Sequence, residues 1–262
     1  SFVDLAARGR LRDDYLAVDS LRLSSPTTDL FAEGTLLLPG GEREAVENID
    51  FRLNAEPLAF EDLAPFVPSL PRTGTADLDV ALSGTSEALE ADINGTFSDG
   101  SSVHLEGTIS PFADGPVTYR FTGEVRRLNP AFFLSGEDAT AGLINIDLTA
   151  DLQGTSLDQL EGTASALVFD TRYGEYAVNR GTAEARFSDG QAQVNLQTNL
   201  RGTGITVAGT ISPFDETPTY DLRGRVSNFD LGQFTEGGTQ SSDIGGLFRL
   251  QGEGFDLQQA DA

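Results

Sequence analysis

Apolar and polar residues alternate along most of this chain with a period of two, the spacing that sends successive side chains to opposite faces of a β-strand. Tyr119, Phe121, Gly123 and Val125 share one phase, and Arg120, Thr122, Glu124 and Arg126 share the other. Ile144, Ile146, Leu148, Ala150 and Leu152 alternate in the same way with Asn145, Asp147, Thr149 and Asp151. Shorter runs of this kind contain Ile49, Phe51 and Leu53; Leu78, Val80 and Leu82; Leu89, Ala91 and Ile93; Val103 and Leu105; Val194 and Leu196; Ile205 and Val207; and Tyr220 and Leu222. Turn-forming strings separate them, such as Pro39-Gly40-Gly41, Ser98-Asp99-Gly100, Tyr173-Gly174-Glu175 and Ser188-Asp189-Gly190, and connections this short join antiparallel neighbours. Helical spacing is confined to brief stretches at Phe60–Leu63, Leu128–Phe132 and Phe229–Gly232, each closing a block of strands. The pattern predicts an all-β meander of about fifteen strands, on the order of 70 Å across at a strand spacing of about 4.8 Å.

The blocks repeat. Gly107-Thr108-Ile109-Ser110-Pro111-Phe112 returns unchanged as Gly209-Thr210-Ile211-Ser212-Pro213-Phe214, and Thr118-Tyr119-Arg120-Phe121-Thr122-Gly123 is answered by Thr219-Tyr220-Asp221-Leu222-Arg223-Gly224. Phe97-Ser98-Asp99-Gly100 likewise matches Phe187-Ser188-Asp189-Gly190. These anchors divide the chain into a partial repeat at 1–70, a full one at 71–135, a longer one at 136–236 carrying an extra hairpin that turns at Gly174, and the start of another at 237–262. Gly95, Gly107, Gly123, Gly209 and Gly224 occupy the apolar phase, where glycine marks a bend or a close approach of backbone. A sheet so curled, with one apolar and one acidic face, is a filled sandwich or an open trough, and periodicity does not separate the two.

Composition narrows the function classes. The chain has 262 residues, 39% of them hydrophobic, with 29 Gly and 11 Pro, which fits a folded, turn-rich protein. Its formal charge is −24, from 41 acidic and 17 basic residues, and every basic residue is Arg. That balance argues against nucleic acid as a partner. The acids are scattered and describe a solvated acidic surface, as in a salt-adapted source, although mutational bias also produces a Lys-free composition. There is no Cys, hence no disulfide or thiolate site. No signal segment or long apolar run is present, so a membrane anchor is expected outside this segment.

Catalytic chemistry finds little support. His104 is the one histidine and sits in the polar phase between Val103 and Leu105, which makes it a solvent-facing strand residue and leaves a hydrolase triad or zinc site without components. Asp13-Asp14 and Asp99-Gly100 lack the spacing of a calcium loop and read as turns. Gly202-Thr203-Gly204 and Gly252-Glu253-Gly254 have no following Lys or helix and read as turns too. Arg126-Arg127 is either a headgroup contact at a groove rim or a solvated turn. No catalytic residue, metal site or cofactor is expected.

The string Pro218-Thr219-Tyr220-Asp221-Leu222-Arg223-Gly224-Arg225-Val226-Ser227-Asn228-Phe229-Asp230-Leu231 resembles the blocks of the AsmA-like proteins, in particular the TamB branch. So does the opening from Gly9 to Ser25, with Tyr15-Leu16-Ala17-Val18 and Leu21-Arg22-Leu23. The likeness covers essentially the whole chain through loose β-repeat patterns. It implies an elongated antiparallel sheet curled into an open β-trough, in a periplasmic segment of a cell-envelope protein anchored in the inner membrane. It also implies phospholipid acyl chains as ligands, transport of phospholipids between the inner and outer membranes, support of outer-membrane protein assembly, and an Omp85-class outer-membrane barrel as partner of regions outside this segment. Taken with the strand phase, it implies a groove lined by Phe51 and Leu53, then Leu78, Val80 and Leu82, then Leu105 and Ile109, then Tyr119, Phe121 and Val125, continuing through Ile146 and Leu148, Val194 and Leu196, Val207 and Ile211, and Tyr220, Leu222 and Val226. The alternative is a structural or adhesive surface β-repeat stalk whose strands fill their own core.

Overall fold

The structure, a computed structural model, describes residues 4–11, 15–37, 49–63, 73–85, 87–110, 116–133, 141–174, 176–200, 202–214, 217–230, 232 and 242–254. Asp13 and Asp14 lie outside these residues, as does Leu231 of the third expected helical stretch.

The fold is all-β. Residues 1–143 and 144–262 form two compact units. The first holds β1 (Asp4–Leu11), β2 (Tyr15–Ser24), β3 (Asp29–Leu37), β4 (Ile49–Ala59), β5 (Thr75–Gly84), β6 (Leu89–Phe97), β7 (Ser102–Ser110) and β8 (Thr118–Leu128), with helical turns α1 (Phe60–Leu63) and α2 (Pro130–Phe133). The second holds most of β9 (Gly142–Gln153), then β10 (Glu161–Tyr173), β11 (Tyr176–Ser188), β12 (Gln191–Leu200), β13 (Thr203–Ser212), β14 (Thr219–Phe229) and β15 (Ile244–Glu253), with a 3-10 turn at Leu157–Gln159. The strands form one sheet in which spatial order is chain order, so β1 and β15 are its edges and it does not close. Alternation yields this arrangement because each strand pairs with the next before the chain leaves its vicinity. Pro57 lies where the β4–β5 register shifts, between Ala55 and Leu58, an irregularity that tolerates a missing N–H.

In the first unit the chain ends of β2, β4, β6 and β8 reach one rim, and the rim is tied together. Ser25, Thr27 and Thr28, in the β2–β3 turn, donate hydroxyl hydrogen bonds to one carboxylate oxygen of Asp62 in α1, at 2.7, 3.1 and 2.7 Å. Thr28 also accepts the Ala59 N–H at 2.9 Å and is buried. These hydroxyls, Ser25 and Thr28 foremost, stabilise the charged carboxylate and hold the Asp62 pKa below its ordinary value. Beside this tie Phe60 packs on Phe97 and Phe132, with centroids 6.3 and 5.8 Å apart, and Phe133 meets Phe97 edge-on at 5.1 Å. The two helical turns thus cap the apolar face with aromatic rings.

Fully buried apolar residues concentrate here. Among the described residues they are Ala32, Ile49, Phe51, Ala55, Leu58, Ala59, Phe60, Ala76 and Ala91 in the first unit, and Ala192 alone in the second. The second unit therefore has an apolar face with almost no closed core of its own.

The longer repeat holds six strands, β9 to β14, against four in its shorter counterpart, β5 to β8. The added strands enter separately: one precedes the Ser188-Asp189-Gly190 turn and one follows it. Phe187 therefore shares a strand end with Phe214 and stacks on it at 6.3 Å, whereas its sequence counterpart Phe97 turns to the α1 and α2 phenylalanines.

Candidate functional site

The register places the expected lining residues in rows across the strands. In the first unit Leu53, Val80, Ile93, Leu105 and Gly123 are successive cross-strand partners, as are Phe51, Leu82, Ala91, Gly107 and Phe121. Ile109 opposes Tyr119, Val103 opposes Val125, and Leu78 opposes Ala55 on one side and Gly95 on the other. In the second unit Ala183, Leu196, Val207, Gly224 and Phe248 form one row, and Ala185, Val194, Gly209, Leu222 and Leu250 another. Ile211 opposes Tyr220, and Ile205 opposes Val226. Directly opposed residues share a face, so each unit carries one continuous apolar face. Ile146 and Leu148 lie on β9 and are half-buried.

Burial along that face is partial. Of the nineteen expected lining residues, seventeen are half-buried, Phe51 is 8% exposed and Leu196 38%. A face packed against a second protein layer would bury these side chains almost fully. Burial is greatest on β4, where Ile49, Phe51, Ala55 and Leu58 are all buried; on the other strands the buried apolar side chains are the alanines Ala32, Ala76, Ala91 and Ala192 among the described residues.

Glycines cut notches into the face. A β-carbon at Gly107 would collide with the Arg120 carbonyl and the Phe121 ring, and one at Gly209 with the Asp221 carbonyl and Leu222 Cα, at equivalent points of the two repeats. Phe248 lies over Gly224, and the Tyr220 ring over Gly252. Aromatic rings thus pack against glycine on the neighbouring strand, where a side chain would collide with them.

The opposite face is mainly polar, although Phe31 and Leu247 are exposed on it. His104 lies there as expected, its Nδ1 2.6 Å from Asn94 Oδ1 and its ring between Asp92 and Glu106. No group of three or more His, Cys, Asp or Glu among the described residues is arranged to hold a metal. Asp99 serves its turn by accepting the Ser101 N–H and hydroxyl at 2.9 and 2.6 Å. Arg126 pairs with Glu124 at 2.9 Å, and Arg127 has φ 54° in the left-handed region. Gly202 and Gly254 are turn glycines with φ 89° and 73°.

One polar-phase residue departs from expectation. Asn145 is 7% exposed, because Asp170 leaves the β10–β11 ladder at φ 42° and presents its carbonyl to the Asn145 side-chain amide at 2.9 Å. Thr171 Oγ1 accepts the Asn145 backbone N–H at 3.0 Å. The distant bulge that buries it leaves no mark near residue 145 in the sequence.

On β14 and β15, Arg249 grips Asp221 with two hydrogen bonds, 2.9 Å from Nε and 2.6 Å from Nη2, which holds the Asp221 pKa below its usual value. No described helix is long and apolar enough to cross a membrane. Compared with protein-family models, with curated proteins and with solved structures, the chain matches none.

Proposed function

We propose that the apolar face binds phospholipid acyl chains, and that the chain is a periplasmic segment of a TamB or AsmA-like protein that moves phospholipids between the inner and outer membranes and supports outer-membrane protein assembly. The observation that carries the lipid part is the partial exposure of seventeen expected lining side chains, ordered in rows on one face. An apolar strip this extensive in water calls for a ligand or a partner. An acyl chain answers it well, since each methylene taken out of water contributes about 0.8 kcal/mol and needs no directional partner. The backbone polar groups are already consumed by the ladder, so the face offers mainly carbon, interrupted by hydroxyls such as those of Tyr119 and Tyr220. In this proposal the inner-membrane anchor and the contact with an Omp85-class barrel belong to regions outside the segment, and those parts rest on the sequence resemblance. The proposed role is binding and conduction, without a chemical step.

The buried β4 face favours a second proposal locally, a surface β-repeat stalk that fills its own core. Photocrosslinking separates the two. With crosslinkers at apolar-phase positions, wild type should label with phospholipid, while Phe121→Asp and Leu222→Asp should abolish labelling nearby and Asn195→Asp, on the polar face, should leave it intact. Equal labelling of folded Asp variants would refute the groove.

A further inference from the structure

We infer that the polar face of β11–β14 holds an anion, a phosphate-bearing group, between Arg180 and Arg225. A groove of about 370 Å³ runs across these four strands, and no carboxylate lines it. The corresponding polar groove on β5–β8 is lined by Glu90, Asp92 and Glu106 beside Arg120. In a chain of charge −24, an acid-free groove with two arginines is a local reversal of sign.

Its register explains how the donors converge. Arg180, Asn199, Gly204 and Ser227 form one cross-strand row on this face, and Thr182, Gln197, Thr206 and Arg225 form the adjacent one. The two arginines enter from β11 and β14, three strand spacings and one row apart, about 16 Å at the backbone, and both residues line the same space. Neither forms an ion pair among the described residues. Asn199 Oδ1 is committed to the Gly202 N–H at 2.9 Å, which leaves the amide NH2 as a donor. Gly204 supplies room, because a β-carbon there would stand 2.7 Å from Ser227 Oγ. The acid along β14, Asp221, is neutralised by Arg249.

Two guanidiniums with amide and hydroxyl donors on several strands suit an oxyanion that accepts from several directions, as a phosphate does. The nearest carboxylate in the register, Glu184, lies one row beyond Thr182 in a row that also carries Arg223, and acids farther away oppose binding only weakly at physiological salt, where the screening length is about 8 Å. A lipid headgroup and a soluble phosphomonoester present the same chemistry. The site lies on the face opposite the proposed acyl-chain surface and stands independently of it.

Inorganic phosphate titrated into the full chain should produce saturable amide shifts at residues 197–199 and 204–206. Arg180→Gln and Arg225→Gln should each weaken binding about tenfold or more, and Arg8→Gln on β1 should not. Sedimentation with phosphatidylcholine vesicles, with and without phosphatidylglycerol, identifies the source: binding that depends on both arginines assigns a lipid headgroup, and phosphate binding without it assigns a soluble ligand. The inference is overturned if phosphate shifts are absent and vesicle binding ignores the arginines, or if the shifts persist unchanged in the double variant.

Discussion

Gly107 and Gly209 occupy matching points of the two repeats, and each lets the neighbouring strand approach where a methyl group would strike a backbone carbonyl. Neither has a left-handed φ, so the demand is steric. Gly107→Ala and Gly209→Ala should each lower stability by about 1–3 kcal/mol, read as a fall in the urea midpoint. Repetition in the apolar phase made these glycines visible in the sequence. Asp62 was not visible, because its three hydroxyl partners stand 34 to 37 residues away in another turn. Its folded pKa is depressed, so its contribution to stability is present above the unfolded pKa and is lost as pH falls through the folded value, below about pH 4. Asp62→Asn should therefore flatten the acid side of the melting-temperature profile. A slope equal to that of wild type below pH 4 would remove the tie from the account.

Strand phase decides most of the elements, which is why the strand number and the α1 turn were legible, and why the environment of each strand end was not. Phe97 and Phe187 head the same Phe-Ser-Asp-Gly string, yet one joins a four-ring cluster and the other stacks on a single ring. Adding one strand before the turn reverses the direction of the strand that carries the phenylalanine relative to the first strand of its repeat. The turns differ as well. Asp189 and Gly190 both have positive φ in a two-residue hairpin, whereas Ser98–Ser101 spans four residues between β6 and β7. Because Phe60 is 4% exposed, Phe60→Ala should cost about 3 kcal/mol or more. Phe187→Ala, at a half-buried ring, should cost clearly less. Chemical denaturation of both variants tests this, and equal losses would contradict the picture of a closed rim in the first unit.

For the molecule as a whole, the sequence carried the fold class because every strand pairs with its sequence neighbour, so local periodicity and global topology express the same information. The polar face was less legible. Alternate arginines at 223 and 225 are plain in the sequence, but the convergence of Arg225 with Arg180 requires the register of three ladders. The apolar face was legible residue by residue, while its partial exposure is a property of what packs above it and emerges only from the assembled sheet. Lipid on this face is best detected by mass spectrometry of the full chain, purified under native conditions from a phospholipid-containing host. Phospholipid should be bound at a fixed stoichiometry and lost from Phe121→Asp and Leu222→Asp; a folded, monodisperse wild-type protein free of lipid would rule out the proposed role.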